Sequence, residues 1–293
     1  MKSATFSIRE YAEVVALKTI IQFIRESGPT EIYWRVFSSS VNTDFNFYSL
    51  SLAFAGEKSV SIIGVHELQE KETVCGFSTD MQHVHDQYVT HFFDCSAVVA
   101  CRLYRRLPLK IPSIGRKTVV IGNVKVKSPV EDFQIDVFRV ISELPYRVVV
   151  VPRHPLTKDE MKRTFLPKGI DFRNSMGELE GLYATADLGI MGRIFCADGL
   201  QPNDDHNPLE ATINAHAICG INNKIPEAYR WLYENSDLVH QCETYEQVFG
   251  LIETLTDDRD VLEKLQKRQE WILENRHKYL EPIRDVILSL AQS

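Results

Sequence analysis

Residues 117–155 read KTVVIGNVKVKSPVEDFQIDVFRVISELPYRVVVVPRHP, and the fold turns on them. Lys117 to Ile121 is a β-branched run that stops at Gly122. Phe133, Val137, Phe138, Ile141 and Leu144 then recur at helical spacing, and Tyr146 to Val151 is a continuous apolar run suited to a strand buried on both faces. The order is strand, helix, strand, so the two strands are parallel and joined by a crossover. Downstream the alternation continues. A helix is expected from about Gly177 to Ala184, a strand at Leu188 to Met191, a helix after Asn207, another through Glu227 to Tyr233, a strand at Leu238 to Gln241 and a helix from Tyr245. That pattern predicts a parallel sheet with helices on both faces. Arg259 to Leu290 is strongly helical, as one long helix or two consecutive ones, with Pro282 as the break or kink.

Upstream, the basic, proline-containing connector Arg102 to Arg116 marks a boundary. It divides the chain into a short α/β domain, 1–115, and a second domain, 116–293 with its C-terminal helices. In the first domain, Val14, Leu17, Ile20, Ile21 and Ile24 predict a helix over Ser7 to Glu26 that stops at Ser27-Gly28-Pro29. Glu31 to Phe37, Tyr48 to Phe54 and Val60 to Val65 read as strands, Asp80 to Phe93 as a helix and Ala97 to Arg102 as a buried strand. There is no internal repeat.

At 293 residues the chain needs neither disulfides nor metal to bury a core, and 44% hydrophobic with 25% charged residues is the composition of a folded protein. With 33 basic against 40 acidic residues the net charge is -7, the wrong sign for a broad nucleic-acid-binding face. No nucleic acid polymer is expected as a partner. No apolar run reaches the roughly 18 to 20 residues of a membrane span and no secretory signal is evident, so the expected compartment is the cytoplasm. Cys75, Cys95, Cys101, Cys196, Cys219 and Cys242 are scattered without a C-x-x-C pair, which argues for reduced, buried thiols over a zinc or redox centre. His83, His85 and His91 lack companion ligands at metal spacing and read as a solvated helix face; Arg102, Arg105, Arg106 and Lys110 read as a solvated linker.

Ligands of such a sheet bind outside the carboxyl ends of its strands, and four segments fall there. Gly122 follows the first strand and permits close approach of a backbone or ligand. In Pro152-Arg153-His154-Pro155 two prolines flank a guanidinium fork and an imidazole, which suits a phosphate. Ser175-Met176-Gly177-Glu178 has the spacing of a capping box, and the same helix start offers backbone N–H groups to a phosphate or ribose oxygen. In His206-Asn207-Pro208-Leu209-Glu210 the asparagine, proline and glutamate specify a helix start. His206 exceeds what a cap needs and suits a ligand, with Glu210 able to accept from sugar hydroxyls.

Taken in this order, Pro152 to Pro155, Met176 to Leu179 with Tyr183-Ala184-Thr185-Ala186-Asp187, and His206 to Glu210 resemble the C-terminal domain of the 3-deoxy-D-manno-octulosonic acid (Kdo) transferases, lipopolysaccharide enzymes of the GT-B fold. The resemblance implies two Rossmann-like domains, the first short and divergent here. It also implies a nucleotide-sugar donor, CMP-Kdo or a relative, held by Gly122, Arg153, His154, Met176, Gly177, Glu178, His206, Asn207 and Glu210. The transfer implied is inverting, without metal or cofactor, to a glycan or lipid-linked acceptor, and a lipid-linked one would bring peripheral contact with the inner membrane.

The family's catalytic glutamate lies in a Ser-Val-Gly-Glu motif, whereas here Ser40-Val41 is followed by Asn42-Thr43-Asp44. Asp44 is the nearest carboxylate and the candidate base, though a turn former is the simpler reading of it. Asn203-Asp204-Asp205 stand where the family tends to have glycines. Two further readings stay open: a sugar-nucleotide or glycan binder that has lost its base, and a GT-B enzyme for another nucleotide sugar.

Overall fold

The computed structural model describes residues 2–9, 11–28, 31–39, 47–70, 72–78, 87–101, 116–126, 130–153, 155–174, 178–192, 195–196, 199–200, 208–213, 215–220, 230, 234 and 237–291. The chain separates into two compact units. Unit 1 comprises residues 1–103, 226–229 and 270–293, and unit 2 comprises 104–225 and 230–269. The sequence division at 115/116 leaves the C-terminal helix wholly in the second domain. Residues 270–293 instead group with unit 1, where Leu280 and Ile287 are buried in the cluster built on Phe6, Leu17, Ile20 and Ile24.

Unit 1 contains β1 (Lys2–Ile8), α1 (Tyr11–Ser27), β2 (Ile32–Ser38), α2 (Phe47–Ala53), β3 (Val60–Ile62), a 3-10 turn (Val65–Glu67), β4 (Val74–Ser78), β5 (His91–Asp94) and α3 (Cys95–Ala100). The five strands run in the order β3-β2-β1-β4-β5, every pair parallel. Here the structure corrects four sequence readings. The N-terminal helix starts at Tyr11, because residues 2–8 form the central strand, whose Thr5 and Ser7 are buried and bonded to Glu72 and Ser39. Tyr48 to Phe54 alternates like a strand but lies largely in helix α2. The parallel pairing of β2 with β3 requires a crossover there, and Leu50 in α2 and Phe54 just past its end, one helical turn apart, are buried. His91 to Phe93 belong to a strand paired with β4 where the helix Asp80 to Phe93 was expected, residues 80–86 lie outside the described residues, and His91 is exposed on β5. Cys95 to Ala100 is helical because Asp94 caps it, accepting from the Ala97 N–H at 2.9 Å.

Unit 2 contains β6 (Thr118–Val124), α4 (Asp132–Glu143), β7 (Arg147–Pro152), α5 (Lys158–Arg163), β8 (Ile170–Phe172), α6 (Leu179–Thr185), β9 (Leu188–Met191), the short antiparallel pair β10 (Phe195–Cys196) and β11 (Gly199–Leu200), a 3-10 turn (Pro208–Ile213), β12 (His216–Gly220), β13 (Val239–Cys242) and α7 (Tyr245–Thr256). The last helix, α8 (Val261–Leu290), continues through Pro282 as one helix of 30 residues. Its sheet runs β13-β12-β9-β6-β7-β8, all parallel. Counted within the unit, that is the strand order 3-2-1-4-5-6 of a Rossmann sheet, read from β8 to β13. Val119, Val120, Ile121, Val148, Val149 and Val150 are fully buried between the helical layers, as strands covered on both faces require.

Among the described residues no helix is long and apolar enough to cross a membrane. Cys75, Cys95, Cys101, Cys219 and Cys242 are buried, and burial pushes the Cys75 and Cys101 thiols up to about 12.

At the amino-terminal edge of unit 2, His216 is fully buried between Asp258 and His240, with Nε2 2.6 Å from Asp258 Oδ2 and Nδ1 3.0 Å from His240 Nε2. Lys264 reaches the same carboxylate at 2.8 Å. Burial pushes Asp258 up, but Lys264, the Asp260 N–H and His216 together outweigh it and hold the carboxyl well below its usual range. Burial, then the nearby His216 and Lys264, push His240 down to about 4, against weaker upward pulls from Asp237 and Asp258. Unfolded His240 binds a proton near pH 6.5 while folded His240 does not. Stability is therefore expected to be flat above pH 6.5 and to fall as the pH drops from there toward 4. Denaturant titrations across that window should show the slope, and His240→Gln should flatten it; a slope unchanged in the variant would remove His240 as its source.

Candidate functional site

A wholly parallel sheet gathers all its carboxyl ends on one edge, and the first and fourth strands part there to opposite faces. In unit 2 those strands are β6 and β9. Gly122 is buried inside β6, not at its end, because the strand runs on to Val124 across a register irregularity at which Asn123 takes φ 59°. A Cβ on Gly122 would overlap Tyr183 Oη and stand 2.8 Å from Leu179 Cδ1, so the close approach it permits is made by α6. On β9, a Cβ on Gly189 would lie 2.5 Å from Ala211 Cβ, and one on Gly192 2.7 Å from the Gly122 carbonyl oxygen. Three glycines thus let α6, the 208–213 turn and the ends of β6 and β9 close on one another.

The motif Tyr183-Ala184-Thr185-Ala186-Asp187 is accounted for by the same packing. Tyr183 is fully buried over Gly122. Asp187 Oδ2 accepts from the Thr118 N–H at 2.8 Å while its own N–H donates to the Thr118 carbonyl at 2.8 Å, which sets β9 beside β6.

Arg153 stands one residue past β7, its N–H donating to the Val124 carbonyl at 2.9 Å. Its side chain is half-buried, and among the described residues the guanidinium has no hydrogen-bond or ion-pair partner. The loop it opens is bonded to the loop after β8 through Asn174, whose side chain meets the backbone of Leu156. Glu178 is exposed and is the N-cap residue of α6, with no side-chain cap bond. The helix begins one residue after Glu178, so Glu178 does not stand at the third helical position that the capping-box reading gives it, and Ser175 lies outside the described residues. Glu210 lies in the Pro208–Ile213 turn, a 3-10 segment kinked at Thr212 where an α-helix was expected. Arg268, buried on α8, donates to both the carbonyl and the hydroxyl of Thr212 at 2.6 Å and fixes that turn.

Asp44, His154, Ser175, Met176, Gly177, His206, Asn207 and the 203–205 loop lie outside the described residues, as do His83, His85 and the basic connector. Of the expected site residues, the structure describes Gly122, Arg153, Glu178 and the backbone of Glu210.

Sequence reasoning missed a polar pair in unit 1. The order β3-β2-β1-β4-β5 sets the parting strands at β1 and β4, and Arg9 follows β1 directly. Its guanidinium meets Glu13 Oε1 at 2.6 and 3.0 Å and the Phe77 carbonyl at the end of β4, while its N–H donates to Glu13 Oε2 at 2.6 Å. Glu13 is buried. The signal was the i, i+4 spacing of Arg9 and Glu13 across what reads locally as one helix.

No family model and no curated protein matches the chain. Solved structures do. Anabaena HepE in complex with UDP and glucose superposes with a TM-score of 0.54 at 10% identity, over 100% of this chain and 100% of its own. The fold is GT-B. Thermobaculum terrenum O-GlcNAc transferase aligns with a TM-score of 0.49 at 12% identity, over 99% of this chain and 68% of its own. The C-terminal CMP-Kdo binding domain of WaaA from Acinetobacter baumannii aligns with a TM-score of 0.37 at 20% identity, over 55% of this chain and 90% of its own.

Because Tyr183 and Leu179 already fill the space over β6, Gly122→Ala is expected to cost about 1–3 kcal/mol by overpacking. Gly250→Ala, where an added Cβ meets nothing within 4 Å, should be neutral or stabilising. Equal unfolding midpoints for the two variants would contradict the packing role of Gly122.

Proposed function

We propose that the chain is a glycosyltransferase that binds a nucleotide-activated sugar on the carboxyl edge of unit 2 and passes the sugar to a glycan or lipid-linked acceptor. The observation that carries the reading is Arg153, a cation fixed through its backbone one residue past β7, with no charge partner among the described residues, on the edge where a Rossmann sheet binds nucleotides. Arg153 and His154 face the phosphate, the segment from Met176 and Gly177 to Glu178 accommodates phosphate or ribose oxygens, and His206, Asn207 and Glu210 complete the nucleotide site. The donor favoured by the motif resemblance is CMP-Kdo or a close relative.

The reaction proposed is an inverting, metal-independent transfer. The acceptor hydroxyl attacks the anomeric carbon on the face opposite the nucleotide while a carboxylate, for which Asp44 is the candidate, takes its proton. The bond from that carbon to the phosphate oxygen breaks, its electron pair leaves with the nucleotide, and Arg153 and His154 stabilise the charge that develops. A lipid-linked acceptor places the reaction at the cytoplasmic surface of the inner membrane without a spanning helix. A second reading, a sugar-nucleotide binder without transfer, is favoured by two observations. Ser40-Val41 lacks the following Gly-Glu, and Glu13, the carboxylate at the parting strands of unit 1, is buried and committed to Arg9.

Melting curves with CMP, CDP, UDP and GDP test the site, since a ligand at 100 times its Kd stabilises the folded state by about 2.7 kcal/mol. One of the four is expected to raise the midpoint, and Arg153→Ala to weaken that nucleotide by about tenfold or more. No shift with any of the four ends the donor-site reading. Asp44→Asn is expected to abolish transfer and leave nucleotide affinity intact; full transfer in that variant removes Asp44 as the base, and no transfer by the unaltered protein favours the binder.

A further inference from the structure

Beyond the last rung of the β7–β8 ladder, where the Arg173 N–H donates to the Val150 carbonyl at 2.9 Å, the two chains leave the sheet as separate loops. One side chain rejoins them. Asn174 Oδ1 accepts from the Leu156 N–H at 2.6 Å, and Asn174 Nδ2 donates to the Leu156 carbonyl at 2.9 Å. The carboxamide thus takes the place of a neighbouring peptide group and adds a rung beyond the sheet. We propose that Asn174 is a positioning residue of the donor edge, locking the loop that carries Arg153 to the segment that leads into Glu178. The proposal rests on the reading of that edge as a nucleotide-sugar site.

The lock works because the loop is pinned at both ends. At one end the Arg153 N–H is held by the Val124 carbonyl; three residues on, Leu156 is held by Asn174. Pro152 and Pro155 remove two backbone donors and two φ freedoms from the same stretch, so few torsions remain to move Arg153. Past Leu156 the chain enters α5 through a capping box. Thr157 Oγ1 accepts from the Glu160 N–H at 3.2 Å and the Thr157 N–H donates to Glu160 Oε2 at 2.7 Å, so Leu156 is the joint between a capped helix and the loop. On the other side, Asn174 lies four residues before Glu178, the N-cap residue of α6.

Only an asparagine-length carboxamide supplies both halves. An aspartate offers acceptors alone and faces the Leu156 carbonyl with like charge, serine and threonine have one short hydroxyl, and alanine leaves both Leu156 groups without this partner. A loop ordered before the ligand arrives loses less freedom on binding, so the lock acts on affinity. Asn174 touches no reacting atom in this scheme, and its loss should raise the donor KM about tenfold with kcat within about twofold.

The test compares Asn174→Ala and Asn174→Asp with Arg147→Ala. The last removes the 2.8 Å ion pair from Arg147, at the start of β7, to Asp171 in β8, leaves Asp171 its pair with Arg173, and serves as the stability control. Hydrogen exchange of a peptide covering residues 153–157 without ligand reads the lock itself, and titration with UDP and with CMP below every variant's melting range reads the site. Exchange at Leu156 should rise strongly in Asn174→Ala, less in Asn174→Asp and not in Arg147→Ala. Affinity for whichever nucleotide binds the unaltered protein should fall about tenfold in Asn174→Ala only where exchange has risen, and should hold in Arg147→Ala. Unchanged exchange refutes the lock. Raised exchange with unchanged affinity refutes the positioning role while the donor site stands. Should Asn174→Ala not fold, Asn174→Asp carries the same comparison. If the unaltered protein binds neither UDP nor CMP while exchange rises as expected, the donor-site reading falls and takes the positioning role with it, leaving only the lock.

Discussion

Every strand of a wholly parallel sheet must be entered from the same edge, so each connection crosses a face and all carboxyl ends emerge together. In unit 2 this constraint is met with β6 in the centre, the chain leaving it toward β7 on one side and reaching β9 on the other. The parting opens a crevice only if the central strands can be covered closely. Gly122, Gly189 and Gly192 supply that by lacking side chains where Tyr183, Ala211 and the β6 backbone lie. The doubled bond between Asp187 and Thr118 fixes the other end of the same strand pair. The shape of the carboxyl edge is thus a by-product of how the first and fourth strands are joined.

That logic explains which parts of the fold the sequence reveals. Val119 to Ile121 and Val148 to Val151 are buried on both faces, and an unbroken apolar run beside a helix of period 3.6 has one reading. Unit 1 is harder because its signals are tertiary. Thr5 and Ser7 look like helix-leading polar residues until Glu72 and Ser39 are brought to them, and Tyr48 to Phe54 alternates while the crossover between β2 and β3 demands a helix. The motifs were legible as motifs, but not the work each residue does. Tyr183, Asp187 and Gly122 turn out to build the sheet, and Asn174, directly before Ser175, joins two loops through a backbone group that no sequence pattern shows.

The two units share a strand order and differ in the charge they place at its parting point. In unit 1 the arginine after β1 is neutralised by a buried glutamate and spent on a carbonyl of β4, a pair that closes the crevice as much as it lines it. In unit 2 the arginine after β7 is held by its backbone, which leaves its guanidinium for something else. In a chain of net charge -7, a cation with no ion-pair partner among the described residues is a local exception. For an anion at a few ångströms from it, the attraction outweighs the screened repulsion of distant carboxylates.

Precision at such an edge comes from extending the sheet one bond at a time. The Val124 carbonyl holds Arg153, the Val150 carbonyl holds Arg173, and Asn174 then holds Leu156 after the strands have separated. Each bond transfers the rigidity of the buried strands to a loop that has no core of its own, and each lies within four residues of a position proposed to meet the ligand. Because the pins are backbone groups and one carboxamide, residues between them can change to suit a different sugar or base without loosening the frame. Under the proposed function, that separation of frame from side chains assigns the choice of nucleotide sugar to the residues between the pins.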